Sequence, residues 1–121
     1  MRAFLVITSL LLFVCTSQTS AKTKDLASET GISILGIKDD LSMFHWVCGK
    51  YPQTLAVLYK KNNDCNEWNA WMPEAKSLND GWGRPFVYKL EGSSFIIKSL
   101  GADGKEGGVK DAADISFPVL N

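Results

Sequence analysis

The carboxylates of Asp103, Glu106, Asp111 and Asp114 crowd one short stretch near the C-terminus, SLGADGKEGGVKDAADI, from Ser99 to Ile115. Glycines at 101, 104, 107 and 108 interrupt it, and it contains no arginine. Carboxylates gathered without a counterion repel one another and hold such a loop open. A hard cation reverses the effect. Calcium takes about 6–8 oxygen ligands and mixes carboxylates with backbone carbonyls, which glycines turn inward at little steric cost. On this reading Asp103 and Asp114 supply side-chain oxygens, Leu100 and Lys105 supply carbonyls, and Asp111 or Ser116 completes the set. The spacing is not that of an EF-hand, and no Gly-Lys-Ser or Gly-Lys-Thr opens a helix here as a phosphate loop requires. A solvated acidic surface loop is the competing reading.

Other chemistry is sparsely written. The single histidine, His45, stands three residues before Cys48, and with Cys15 in the N-terminal leader only Cys65 remains to join them, which leaves a zinc set incomplete. No Ser-His-Asp pattern accompanies it, so an enzyme pairing His45 with Asp103 or Asp114 lacks a constellation. Neither catalysis nor a small-molecule substrate is expected. Basic and acidic residues balance at 13 each, and Arg2 and Arg84 are the only arginines. Without clustered cations to neutralise phosphates, a nucleic-acid partner is not expected either.

The N-terminus reads as a targeting segment over 1–21. Met1-Arg2 gives a positive end and Ala3 to Val14 an apolar run shorter than the ~20 residues of a membrane span. Thr19-Ser20-Ala21 then offers a small-residue cleavage site, which places one mature domain over 22–121 in the periplasm or outside the cell. An uncleaved membrane anchor and a lipid on Cys15 are the alternatives; for the lipid, Leu12 lies three residues before Cys15, although Val14 is bulky for such a box. Loss of the leader reduces three cysteines to Cys48 and Cys65. In an oxidising compartment these form a disulfide, for which the chain-entropy model gives about 3 kcal/mol.

The elements that must position the acidic loop follow from periodicity. Ile34, Ile37, Leu41, Phe44 and Cys48 recur at helical spacing, which predicts an amphipathic helix packed on a sheet. Lys22 to Ala27 reads as a flexible lead-in, Ser28 or Thr30 as the N-cap, and Gly49 followed by Pro52 as the stop. Leu55, Leu58 and Tyr59 suggest a second, shorter helix within Gln53 to Lys61. From Asn66 to Pro85 no period survives, and Trp68, Trp71 and Trp82 lie in what reads as an irregular loop packing its own aromatics. Phe86 to Leu90 and Phe95 to Leu100, joined by Glu91-Gly92-Ser93-Ser94, read as a β-hairpin, and Ile115, Phe117, Val119 and Leu120 as a last strand. The fold class is α+β.

Three elements resemble those of the major, G-type pseudopilins of type II secretion systems. Gly49-Lys50-Tyr51-Pro52 is similar to that family's Gly-x-Tyr-Pro after its long helix. Asp80-Gly81-Trp82-Gly83-Arg84-Pro85-Phe86 is similar to its Asp-Pro-Trp-Gly-x-Pro-Tyr, with Gly81 in place of proline. Ser99 to Gly108, followed by Ala113-Asp114-Ile115, resembles its C-terminal calcium loop. The resemblance implies a pilin-like head, one helix on a small antiparallel sheet, with structural calcium held by Asp103 and Asp114 and by the Leu100 and Lys105 carbonyls; Asp111 falls where the family varies. It implies partners among secretion-system or pilus-like proteins of the cell envelope. The chain departs from the family at its start: the apolar run ends at Val14 and no glutamate lies in or just after it, so a head without the usual prepilin leader and stalk helix is expected. The cysteine pair is a further departure. A head reused to bind a peptide or glycan through Trp68, Trp71 and Trp82 is the alternative function.

Overall fold

The computed structural model describes residues 18–61 and 63–118, with side chains from residue 25 onward. One helix, α1 (Gln18–Cys48), lies across a three-stranded antiparallel sheet of β1 (Val87–Glu91), β2 (Ser94–Ser99) and β3 (Ile115–Phe117) in that spatial order. The α+β head expected from the sequence is therefore present.

The apolar period of α1 does what it predicts. Ile34, Ile37, Leu41 and Phe44 are all buried, and they meet Leu58, Phe95 and Ile97 from the other side of the core. The helix ends where Gly49 takes a left-handed φ of +74° and donates its N–H to the His45 carbonyl at 2.8 Å, a conformation glycine adopts without a Cβ penalty.

Its beginning differs from expectation. Lys22 to Ala27 is helical, and Ser28 and Thr30 lie inside α1 and not at its cap. Thr30 instead donates its hydroxyl to the Leu26 carbonyl at 2.7 Å, and Ser33 does the same to Glu29 at 2.9 Å. Hydroxyl side chains favour caps but can also donate to the carbonyl four residues back inside a helix, so residue type alone does not choose between the roles. The junction between Ala21 and Lys22 falls within this helix; residues 1–17, with Cys15 and the apolar run, lie outside the described residues. Among the described residues no helix is long and apolar enough to cross a membrane.

The helix is also apolar where it faces away from the sheet. Ile32, Leu35, Met43 and Trp46 recur at helical spacing opposite the core stripe, and Trp46 is 81% exposed.

The sheet follows the alternation of its residues. β1 and β2 form a hairpin in the register Glu91↔Ser94 to Val87↔Lys98, with Gly92 at positive φ in the two-residue turn. Phe95, Ile97 and Ser99 of β2 point into the core. β3 pairs with the far half of β2, Ile97↔Phe117 to Ser99↔Ile115. Val119 and Leu120 lie outside the described residues.

The expected second helix is a single 3-10 turn at Leu55–Leu58, which buries Leu55 and Leu58. Between Pro52 and the Asn63-Asp64 turn the segment is too short to offset helix nucleation. The following loop is irregular, as expected, with one further 3-10 turn at Ala75–Leu78. Cys48 and Cys65 are bonded, with Cα atoms 5.8 Å apart, and tie the end of α1 to the start of that loop.

Candidate functional site at the C-terminal loop

The C-terminal loop is closed by its own backbone and by residues from upstream. Ala102 donates its N–H to the Asp111 carbonyl at 2.8 Å, which brings the two arms of the loop together. Gly101 stands at the neck with φ +68°, and a Cβ there would lie 2.7 Å from the Ala113 carbonyl oxygen. The glycine is required by that close approach as much as by its φ.

Upstream, Asp80 organises the neck. Its carboxylate is buried; Oδ1 accepts the N–H groups of Trp82 and Arg84, each at 3.0 Å, and Oδ2 accepts the Ser99 hydroxyl at 2.6 Å. Ser99 in turn accepts the Gly101 N–H at 3.2 Å. A buried anion with this many donors is satisfied where it stands. Arg84 completes the link: Nη1 donates to the Gly101 carbonyl at 2.9 Å, and its guanidinium lies so near Gly104 that a Cβ there would be 2.7 Å from Nε. The loop sequence carries no arginine, yet the fold brings one to it.

The same upstream element is anchored to α1. Gly81 donates its N–H to the Thr30 hydroxyl at 2.8 Å, and Thr30 is fully buried. Thr30, Asp80, Arg84 and Ser99 thus form one polar chain from helix to loop. In the sequence the Asp80-Gly81-Trp82-Gly83-Arg84-Pro85 element is visible as a motif without an evident role. The signal available was an acid that opens a Gly-rich turn between apolar segments.

Each expected calcium ligand has surroundings of its own. Asp103 is exposed, and its Oδ1 accepts the Lys105 N–H at 3.0 Å in a local turn. Asp111 is exposed, and its carbonyl holds Ala102. Ser116 donates its hydroxyl to the Pro118 carbonyl at 3.1 Å. Leu100 is half-buried and Lys105 exposed. Asp114, just before β3, is the carboxylate drawn inward: Oδ1 is buried without a hydrogen-bond partner, while Oδ2 lies 3.6 Å from Lys98 Nζ. Among the described residues no three His, Cys, Asp or Glu side chains gather closely enough to hold a metal by themselves.

The remaining singled-out residues have structural surroundings. His45 is exposed and stacks on Tyr51, with ring centroids 4.5 Å apart. Trp68 is buried edge-on to Phe44 and donates Nε1–H to the Val57 carbonyl at 2.8 Å. Trp82 is half-buried, and Trp71 is 60% exposed. The indole N–H of Trp71 meets the Asp40 carboxylate; burial and the neighbouring Asp39 push that carboxyl above its usual range, and Trp71 pulls the other way.

A long helix on a three-stranded antiparallel sheet, with a glycine-rich loop clasped back onto the end of the middle strand, defines a pilin-like head. The family described as "Type II secretion system (T2SS), protein G" matches residues 14–117, and the chain belongs to it. It is 42% identical over 73 residues to the type II secretion system core protein G of Pseudomonas aeruginosa, covering 54% of this chain and 51% of that one. To the core protein G of Xanthomonas campestris pv. campestris it is 32% identical over 71 residues, covering 57% and 50%. The chain thus matches about half the length of these curated relatives. The crystal structure of the major pseudopilin from the type 2 secretion system of enterohaemorrhagic Escherichia coli superposes with a TM-score of 0.58 over 86% of this chain and 96% of that one; at 21% identity this likeness speaks for the fold.

Proposed function

We propose that the chain is an exported, non-catalytic pseudopilin head that works within a type II secretion or type IV pilus-like assembly of the cell envelope, its C-terminal loop pinned by calcium. The observation that carries the assembly role is the bare apolar face of α1. Among the described residues Ile32, Leu35, Met43 and Trp46 stay more than half exposed, and an apolar stripe of this kind on a charged helix is a surface for other proteins. Family membership directs the choice of partner to secretion-system proteins. Export uses the 1–21 leader, with a lipid on Cys15 as the alternative anchor. Cleavage after Ala21 would leave intact every side-chain contact described above.

The case for calcium rests on Asp114. An inward carboxylate oxygen with no hydrogen-bond partner is costly unless a cation answers it. Asp114 and Asp103 would supply carboxylate oxygens, with Asp111 or Ser116 beside them. Since no three such side chains gather among the described residues, most of the remaining ligands would be backbone carbonyls, Leu100 and Lys105 foremost. Calcium accepts such mixed oxygen sets. Its chemistry here is structural: one ion bound only by the folded head.

Two measurements test the proposal. The tagged chain expressed in its own cell should co-purify with secretion-system components from the envelope fraction, and Trp46→Glu should reduce that capture without changing the melting temperature. Calcium at about 100 times its dissociation constant should stabilise the head by about 2.7 kcal/mol relative to chelator. Identical melts would remove calcium from the reading, and capture unaffected by Trp46→Glu would remove the α1 face.

A further inference from the structure

Lys98 places a second cation at the calcium loop. It stands on β2 opposite Ser116, on the strand face away from the core, and its side chain is only 19% exposed. Lysine normally keeps its ammonium in water. Here Nζ lies 3.3 Å from Glu106 Oε1 and 3.6 Å from Asp114 Oδ2, between a carboxylate that is 80% exposed and one that is 20% exposed. The longer separation leaves Asp114 only partly compensated, and its other oxygen is unanswered.

Resting on the calcium reading above, we propose that Lys98 is a tethered counterion that competes with calcium for Asp114 and so sets the concentration at which calcium takes the loop. An ammonium and a divalent ion cannot share one half-buried carboxylate without strong repulsion, because charges at this separation interact appreciably wherever water is partly excluded. Calcium binding therefore requires the ammonium to withdraw. The geometry gives it somewhere to go: Glu106 is on the same ammonium, projects into solvent, and can hold it away from Asp114. Without calcium, the ammonium lessens the repulsion that would open the loop. The cost is weaker calcium binding than the carboxylates alone would give. A loop held at low calcium by a lysine and at high calcium by the ion has a threshold and not an all-or-none requirement.

The test is isothermal titration of calcium, with parallel melts in chelator, on the full-length chain, Lys98→Met, Lys98→Arg and Glu106→Gln. Lys98→Met should bind calcium about tenfold more tightly and melt lower in chelator. Lys98→Arg should resemble the parent, and Glu106→Gln, which removes the withdrawn position, should bind more weakly. Binding by Lys98→Met alone would support the inference in its strongest form, with the lysine standing in for the ion. Equal affinities in the parent and Lys98→Met would overturn the inference and leave the calcium reading intact. Binding by none of the four proteins would overturn the calcium reading and this inference with it.

Discussion

The Ser99 hydroxyl donates to Asp80 Oδ2 at 2.6 Å, and both residues are buried. Residues distant in sequence are joined by this bond, and the C-terminal loop starts from it. Replacing Asp80 with alanine removes the acceptor of the Ser99 hydroxyl and of the Trp82 and Arg84 N–H groups together. Donors left unanswered in a core cost about 1–3 kcal/mol each, so Asp80→Ala should lose about 3 kcal/mol or more, or fail to fold. Asp80→Asn keeps the accepting Oδ1, and its amide faces a hydroxyl that already takes the Gly101 N–H; a loss of about 1 kcal/mol is expected. Urea unfolding followed by tryptophan fluorescence ranks the two, and equal stabilities would show that Asp80 does not organise the neck.

Local pattern made the frame of this fold legible, and long-range polar contacts did not show in it. The Ile34, Ile37, Leu41 and Phe44 period, the Gly49 stop and the Glu91 to Ser94 turn each depend on near neighbours in sequence. The start of α1 is not legible in residue type, because Ser28 and Thr30 both suit a cap, and only tertiary structure shows that Thr30 stands inside the helix to receive Gly81. The disulfide followed from cysteine arithmetic. Lys98 and Arg84 gave no sequence signal as loop cations, since their approach to the acidic stretch is set by strand pairing and by the Asp80 turn.

Gly81 occupies a position where no side chain fits. A Cβ would lie 2.6 Å from the Leu26 carbonyl oxygen and 2.9 Å from Thr30 Oγ1, and helix backbone cannot yield cheaply. Gly81→Ala should therefore cost about 1–3 kcal/mol through overpacking. Gly81→Pro, which restores the residue of the resembling element, adds loss of the N–H that Thr30 accepts and should be at least as damaging. Thr30→Val keeps the shape and strands the Gly81 N–H, for about 1–3 kcal/mol, whereas Thr30→Ser should stay near the parent. Chemical denaturation of the four variants checks the order; a stable Gly81→Pro would mean that the loop and α1 separate without cost.

The Cys48–Cys65 bond closes a sequence separation of 17 residues and holds the Trp68 loop against the end of α1. Substituting both cysteines by alanine should cost about 2–4 kcal/mol, and the loss should arise largely in the unfolded state. The folded double variant should then keep the Trp68 environment, edge-on to Phe44. Denaturation midpoints with near-UV circular dichroism separate the two effects. A double variant of parental stability would assign the bond no role in holding the head.

Tyr88 links the hairpin to the segment after α1 by donating its hydroxyl to the Pro52 carbonyl at 2.7 Å. Burial, and then the neighbouring Tyr51, push its phenol up to about 12 from its ordinary value of 10.0. The folded protein therefore holds the phenol proton more tightly than the unfolded chain does. The stability this contributes is complete below the unfolded pKa, about 10, and is lost as pH rises through the folded value. Partial exposure of the ring reduces its size through solvent screening. Tyr88→Phe lacks both the proton and the hydrogen bond, so it should be about 1 kcal/mol less stable at pH 8 and should close that gap at higher pH. Melting temperatures of the two proteins from pH 8 upward should converge as the parent ionises; parallel curves would show that the Tyr88 phenol contributes nothing to the alkaline limit of the fold.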